Sequence, residues 1–177
     1  VQMPTKEFLK VAKNHSSNSS TEAEFQISNL VYERPPFAKL DMLKPHIMGV
    51  INITPDSFYK NSQINNLNKL KKNYCEMINN GASIVDIGGE SSRPGAEKIS
   101  IKEEKNRVVG PIKQLKKFKV NCLISLDSQN LSTMKTCYKI GVDILNDITA
   151  FKERNKIEFV QKTNMPIIIM HMQNEPN

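Results

Sequence analysis

The chain has 177 residues, 38% of them hydrophobic and 24% charged, with a formal net charge of +7 at pH 7. That length suits one domain or part of a larger one, and the composition is too apolar for a fully disordered chain. The sequence contains no run of about 18 apolar residues, which excludes a transmembrane helix, and its N-terminal residues lack the apolar core of a signal peptide.

Two features of the composition bear on partners and location. The positive charge could indicate nucleic-acid binding or an anionic substrate, but no Lys/Arg block is longer than Lys116-Lys117. We interpret the charge as compositional bias and expect neither a nucleic-acid nor a membrane partner. Cys75, Cys122 and Cys137 are too widely spaced for a disulfide framework or a zinc site, and they suit a reducing cytoplasm.

Residues 1–44 differ from the rest of the chain. The stretch His15–Thr21 is polar without periodicity, and two consecutive prolines further on exclude a helix locally. We predict an N-terminal extension or linker here, partly disordered, with a short helix at Lys6–Lys13 and a strand near Phe25–Val31.

Residues 45–177, the second predicted domain, alternate between two apolar patterns. Short apolar runs predict five buried strands, at Ile47–Ile53, Ser83–Ile87, Cys122–Leu126, Val142–Ile148 and Pro166–His171. Apolar spacings of three and four predict the helices between them: Asn65–Asn79, a helix begun by the capping box of Ser100 and Glu103, Leu131–Tyr138, and one at Ile157–Val160. Gly81 and Gly141 stand where the first and third of these helices end.

The alternation of strands and helices predicts a parallel sheet covered by helices. A (β/α)8 barrel and a doubly wound sheet both begin this way. Polar or glycine residues follow every strand, among them Asn52, Asp127 and His171. In a barrel all strand ends converge on one pocket, so we predict an incomplete (β/α)8 TIM-type barrel with about five parallel strands.

Two segments at these strand ends are the most informative about chemistry. The first reads Asn-Ile-Thr-Pro-Asp-Ser-Phe over 52–58, and the second reads Asp-Ile-Gly-Gly-Glu-Ser-Ser-Arg-Pro-Gly-Ala over 86–96. Glycines let backbone amides approach a ligand, while Ser92 and Arg93 offer a hydroxyl and a guanidinium fork for an oxyanion. Considered alone, each segment is also ordinary turn chemistry.

Together the two segments resemble the dihydropteroate synthase family of pterin-binding barrels. Family members carry Asn-x-Thr-Pro-Asp-Ser-Phe after strand 1 and Asp-x-Gly-Gly-(Glu/Gln)-Ser-(Thr/Ser)-Arg-Pro-Gly-Ala after strand 2. Three shorter stretches, at 125–128, 144–148 and 166–172, are similar to later strand ends of the family. The resemblance covers residues 46–175.

The resemblance implies a transferase of folate biosynthesis, in which p-aminobenzoate displaces pyrophosphate from 6-hydroxymethyl-7,8-dihydropterin pyrophosphate with Mg²⁺ as cofactor. Its pterin-binding positions correspond to Asp86, Asp127 and Asn146, and the N–H groups of a pterin need such acceptors in a buried slot. Asn52 corresponds to the amide that contacts both metal and pyrophosphate, and Ser92 to the hydroxyl that binds a phosphate.

The same resemblance assigns catalytic roles to two loops. Asp56, Ser57 and Phe58 after strand 1, with Arg93 and Pro94 after strand 2, are implied to close over p-aminobenzoate. The chain departs from the family where a Ser-Asp-Gly-Gly turn usually follows, because residues 59–62 read Tyr-Lys-Asn-Ser. We expect this change to alter closure of the first loop and its contact with metal.

Three interpretations of the resemblance stay open. The first is a dihydropteroate synthase. The second is an inactive remnant or one half of a split synthase, which binds pterin at most and takes a complementary C-terminal half or a second copy of itself, as a homodimer, as partner. The third is a relative among the pterin-dependent methyltransferases, which share the barrel and the pterin pocket. The pyrophosphate and p-aminobenzoate loops argue against the third.

We expect no measurable dihydropteroate from the 177-residue chain alone, because the family's later Asp, Lys and Arg-x-His groups lie beyond Asn177. Each lost charge-assisted contact costs about 1.5–3 kcal/mol, so two or three losses lower the rate by about a thousandfold or more. The measurement is turnover of both substrates with Mg²⁺, with and without a polypeptide carrying the second half of the barrel. Turnover by the chain alone within about tenfold of a complete enzyme would contradict this expectation.

Overall fold

The computed structural model describes residues 4–14, 17–31, 33–53, 63–90, 98–118 and 120–171. The chain divides into two compact units, Val1–Pro45 and His46–Asn177. Over the described ranges, no helix is both long enough and apolar enough to cross a membrane.

The N-terminal unit contains two helices that pack together, α1 (Thr5–Lys13) and α2 (Ser17–Val31). The predicted helix at Lys6–Lys13 is confirmed. The predicted strand near Phe25–Val31 is wrong, because the segment is helical, with Ala23 buried and Ile27, one helical turn later, half-buried. Tertiary packing of α1 on α2 outweighs the β propensity of the isolated segment.

The second unit is built on a five-stranded parallel sheet with the order β1-β2-β3-β4-β5. Its strands are β1 (Ile47–Asn52), β2 (Ala82–Gly88), β3 (Leu123–Asp127), β4 (Ile144–Asp147) and β5 (Ile167–Ile169). Each strand pairs with the next along the chain, whereas a doubly wound sheet reverses its order at a switch point. The predicted fold, part of a (β/α)8-type barrel, is confirmed, and the sheet is open at β1 and β5 within the described part.

Four helices alternate with these strands: α3 (Gln63–Asn79), α4 (Ile101–Leu115), α5 (Leu131–Ile140) and α6 (Arg154–Thr163). The strand residues Ile51, Ile87, Leu126 and Leu145 stand opposite one another in the register, and all four are buried. They form one hydrophobic cluster with residues of the first three of these helices, including Leu70, Tyr74, Val108, Ile112 and Met134. This face of the sheet is therefore the core, and the other face is left for the site.

The predicted helix ends are confirmed in detail. Ser100 is the N-cap of α4, and its hydroxyl accepts a hydrogen bond from Glu103 N at 3.2 Å. Gly81 and Gly141 both have φ of 95°, the left-handed conformation that ends α3 and α5. Asn164 takes the same position after α6 with φ of 50°.

The two left-handed caps Gly141 and Asn164 make opposite predictions. We expect Gly141→Ala to lower the free energy of unfolding by about 1 kcal/mol, because a Cβ is strained at this φ. We expect Asn164→Gly to raise it by a few tenths of a kcal/mol, because the same strain is removed. A Cβ at Gly141 would lie 3.8 Å from Lys116 Cε, an ordinary contact, so crowding does not confuse the comparison. Urea unfolding followed by circular dichroism measures both; equal signs would contradict the argument.

Candidate active site

Four positions form one row across the carboxyl ends of the strands. The register pairs Asn52 with Gly88, Gly88 with Asp127, and Asp127 with Asn146. Residues opposite one another in a sheet share a face, so this row lies on the face away from the hydrophobic core. Asp86 lies two residues before Gly88 and shares that face. The structure therefore brings together all the predicted site residues that it describes.

The absence of a side chain at Gly88 opens a gap in this row. A Cβ at Gly88 would lie 3.0 Å from Asn52 Oδ1 and 3.3 Å from Asp127 Oδ2. The two side-chain oxygens therefore border one small space, which we call the Gly88 gap. Only a residue without Cβ leaves this space for a ligand atom.

The buried Asp86 and the half-buried Asn146 form a polar pair beside the Gly88 gap. Asn146 Nδ2 donates to Asp86 Oδ2 at 3.0 Å, and Asp86 is 2% exposed. Burial raises the pKa of Asp86, while the neighbouring Ser125 hydroxyl and the Asn146 amide act in the opposite direction. Asp86 Oδ1 and Ser125 Oγ are both buried, and the described part of the chain offers neither a hydrogen bond of good geometry. Buried polar atoms of this kind call for a partner, which a ligand can supply.

Asp127 stands in an acidic environment at the end of β3. Burial, followed in order of effect by the charges of Asp86, Glu104, Asp147 and Glu90, raises its pKa to about 7. Near neutral pH the Asp127 carboxyl is thus present both with and without its proton. It can accept a hydrogen bond from a ligand in one form and donate one in the other.

A second buried network shapes the turn after β4. The Asp147 carboxylate accepts hydrogen bonds from Thr149 N at 2.8 Å, from Phe151 N at 3.2 Å and from Lys156 Nζ at 3.2 Å. Both Asp147 and Lys156 are almost completely buried. Ala150 and Phe151 have φ of 55° and 53°, a strained conformation for residues with a Cβ. The network holds this turn against the strain, directly beside Asn146.

The remaining predicted site residues lie outside the described ranges: Asp56, Ser57 and Phe58 of the first loop, and Ser92, Arg93 and Pro94 of the second. Their assigned roles stay predictions, as does the effect of the Tyr-Lys sequence at 59–60.

The sequence interpretation missed Glu104, a carboxylate that is 1% exposed on α4. Its oxygens accept hydrogen bonds from Ser128 Oγ at 2.7 Å and Asn130 Nδ2 at 3.1 Å, and from the Thr133 hydroxyl. The sequence does indicate that Glu104 is buried: it lies four residues before Val108 and therefore belongs to the apolar stripe of its helix. A carboxylate on the buried stripe of a helix needs donors from a neighbouring element.

Fold and site together define an α/β barrel-type protein with its polar site at the carboxyl ends of the parallel strands. A family model described as pterin binding enzyme matches residues 48–177. The chain is 42% identical over 137 residues, 77% of its length, to the dihydropteroate synthase of Haemophilus influenzae. The chain belongs to the pterin-binding enzyme family.

Solved structures give the same result. The 7,8-dihydropteroate synthase of Vibrio fischeri ES114 superposes with a TM-score of 0.67 and 35% identity, over 78% of this chain and 48% of that one. A Xanthomonas albilineans dihydropteroate synthase with 4-aminobenzoic acid superposes with a TM-score of 0.70 and 28% identity, over 82% of this chain and 55% of that one. The match covers 50% of the Haemophilus protein, so the chain spans about half the length of the curated relatives it matches.

The raised pKa of Asp127 predicts a pH-dependent contribution to stability. Between about pH 4 and pH 7 the folded chain keeps a proton at Asp127 that the unfolded chain has lost, so the free energy of unfolding falls as pH rises. In Asp127→Asn no carboxyl group titrates at this position, so the free energy of unfolding does not fall for this reason. We expect the variant's stability relative to the unsubstituted chain to be higher at pH 8 than at pH 5 by about 1–2 kcal/mol. Urea unfolding at both pH values measures this, and a pH-independent difference would show that Asp127 ionises normally.

Proposed function

We propose that this chain functions in a dihydropteroate synthase. The reaction joins p-aminobenzoate to 6-hydroxymethyl-7,8-dihydropterin pyrophosphate and releases pyrophosphate. The observation that supports this best is the Asp86–Asn146 pair beside Asp127 at one sheet edge, where buried atoms of Asp86 and Ser125 lack hydrogen bonds of good geometry. Membership of the pterin-binding family gives the ligand class that these atoms suit.

A pterin matches the donors and acceptors of this site. It is a flat ring with an amino group and ring N–H groups on one edge and a carbonyl group nearby, so it needs both carboxylate acceptors and an amide. Asp86 Oδ1 would accept an N–H from the ring, and the Ser125 hydroxyl can turn to serve a second polar atom. Each such bond removes the free-energy penalty of a buried polar group without a partner, about 1–3 kcal/mol.

Asn52 is the proposed contact for pyrophosphate and Mg²⁺. Mg²⁺ keeps several waters and takes one or two protein oxygens together with substrate phosphates, so a single amide oxygen suits it. Asn52 Oδ1 borders the Gly88 gap on an exposed residue at the end of β1, where such a hydrated ion fits. When bound, Mg²⁺ would stabilise the negative charge of the departing pyrophosphate. Ser92 and Arg93 are proposed to bind the same phosphate groups.

The two loops at the strand ends are proposed to complete the site for p-aminobenzoate. Asp56, Ser57 and Phe58 would close from one side and Arg93 and Pro94 from the other, excluding water from the reacting carbon. The crystal structure of the Xanthomonas albilineans relative contains 4-aminobenzoic acid, which is consistent with this substrate.

The sheet edges, the cysteines and the N-terminal residues bear on the surroundings of the pterin-binding domain. Val50 on β1 and Ile169 on β5 are 49% and 57% exposed, and these two strands are the open edges of the sheet in the part described. We propose that a polypeptide equivalent to the second half of the relatives completes the barrel there.

Cys75, Cys122 and Cys137 are free thiols, which suits a cytoplasmic location. Residues 1–44 are proposed to be an extension of the pterin-binding domain.

The pterin assignment predicts the effect of two substitutions. We expect Asp127→Ala and Asn146→Ala each to weaken binding of 6-hydroxymethylpterin by about 1–3 kcal/mol, because each leaves ligand groups unpaired. The same change at the exposed Asn155, on α6, is the matched control and should leave affinity unchanged. Calorimetry on the chain, alone or with the second half of the barrel, measures all three. Unchanged affinity in both site variants would reject the pterin assignment.

The Gly88 gap makes an independent steric prediction. In Gly88→Ala the new methyl group would lie 3.0 Å from Asn52 Oδ1, so the Asn52 or Asp127 side chain must shift. We expect pterin affinity to fall by about tenfold, with a loss of stability of no more than about 1 kcal/mol, because the position lies at a strand end. Gly81→Ala is the control, since a Cβ there meets nothing within 4 Å and strain at its φ affects only stability. Equal losses of affinity in both variants would argue against a ligand at the gap.

A further inference from the structure

The buried carboxylate of Glu104 is a polar feature that the proposed chemistry does not use. It lies in the first turns of α4, where the helix dipole favours negative charge. Its three donors are Ser128, Asn130 and Thr133, and no salt bridge to it occurs among the residues that the structure describes. A carboxylate can only accept, so three donors suit its ionised form. A buried charge held by neutral donors restrains those donors strongly, because each lost bond leaves the charge less solvated.

The donors to Glu104 all belong to the segment that follows β3. Ser128 is the residue after Asp127, and its hydroxyl also accepts a hydrogen bond from Asn130 N at 3.1 Å. The backbone N–H of Ser128 donates to Asn146 O at 3.1 Å. Glu104 thus holds a residue whose backbone joins the ends of β3 and β4. These are the strand ends that carry Asp127 and Asn146.

The same helix also contacts the end of β2. A Cβ at Gly89 would lie 3.3 Å from the carbonyl oxygen and from Cγ of Glu104, so the missing side chain lets α4 approach. Arg107 Nη1, one turn further along, donates to Gly89 O at 3.0 Å. One stretch of α4 therefore touches the chain on both sides of the Gly88 gap, after β2 and after β3.

We propose that Glu104 is a positioning residue for the pterin site, holding the end of β3 so that the Asp127 carboxylate stands at the Gly88 gap beside Asn146. This inference rests on the proposed function. Glu104 makes no contact with the ligand itself; it acts through Ser128 and the backbone of β3. Hydrogen bonds to a flat ring weaken steeply when an acceptor moves out of line, so a small shift of the strand end is sufficient to lower affinity.

The test is a double-mutant cycle on the 177-residue chain, with 6-hydroxymethylpterin as the probe and calorimetry as the measurement. Glu104→Gln removes the charge with little change of volume, and we expect it to weaken binding by about tenfold. In the Asp127→Ala background the same substitution should weaken binding by less than about twofold, because the residue through which it acts is gone. A general loss of structure would instead weaken binding equally in both backgrounds.

Two variants complete the design. Glu158→Gln on α6 is the matched control: its carboxylate pairs with the exposed Arg154 Nε at 2.9 Å, away from the site, so affinity should stay within about twofold. Asn130→Ala removes one donor to Glu104 and leaves the carboxylate in place, and we expect a loss of about threefold that also disappears in the Asp127→Ala background. If Glu104→Gln does not fold, Asn130→Ala still tests the positioning role of Glu104.

The possible outcomes distinguish failure of the positioning role from failure of the proposed function. Suppose that the unsubstituted chain binds pterin. If the losses of affinity in the cycle are additive, or if Glu104→Gln loses no affinity, the positioning role is overturned and the proposed function stands. No pterin binding by the unsubstituted chain, even with the second half of the barrel added, would overturn the proposed function and this inference with it.

Discussion

The parallel register of the first four strands is the constraint on which the site depends. Ile51, Ile87, Leu126 and Leu145 are in register on the core face, and the next residue of each strand is in register on the site face. A slip of β3 by one residue would place Asp127 in the hydrophobic core and Leu126 at the Gly88 gap. The burial of four aliphatic side chains therefore aligns the polar groups, and no separate interaction is needed to bring them together.

Crowding of carboxyl groups is the electrostatic consequence of this alignment. Asp86, Glu90, Glu104 and Asp147 all raise the pKa of Asp127, although the chain as a whole carries a net charge of +7. The lysines that produce the net charge are mostly exposed, whereas the acidic groups lie at or near strand ends or, in the case of Glu104, on the helix packed beside them. Net charge thus describes the solvent surface and says little about the polarity of the site. Neighbouring donors, such as the half-buried Asn146 amide and the buried Ser128 hydroxyl, make the crowding tolerable.

Much of this arrangement could be predicted from the sequence. Apolar runs located the strands, and the alternation with helices placed Asn52, Asp127 and Asn146 at one edge, because parallel strands share their carboxyl ends. The helix at Ser17–Val31 was missed because its stability comes from packing on α1, which a local pattern does not contain. Glu104 was missed for a related reason, since its donors are at least 24 residues away in the sequence.

The buried pair of Asp147 and Lys156 has a consequence for how this family member can change over evolutionary time. Each partner is almost completely shielded from water, at 3.2 Å from the other. Loss of Lys156 alone leaves the Asp147 charge uncompensated in the interior, at a cost of about 3–5 kcal/mol, a large fraction of the stability of a typical domain. Loss of Asp147 alone leaves Lys156 paired with the exposed Glu153 at 3.2 Å. Replacement of both by apolar residues of similar volume avoids that penalty. Lys156 is therefore expected to be lost only together with Asp147 or after it, so that lineages with Asp147 keep Lys156.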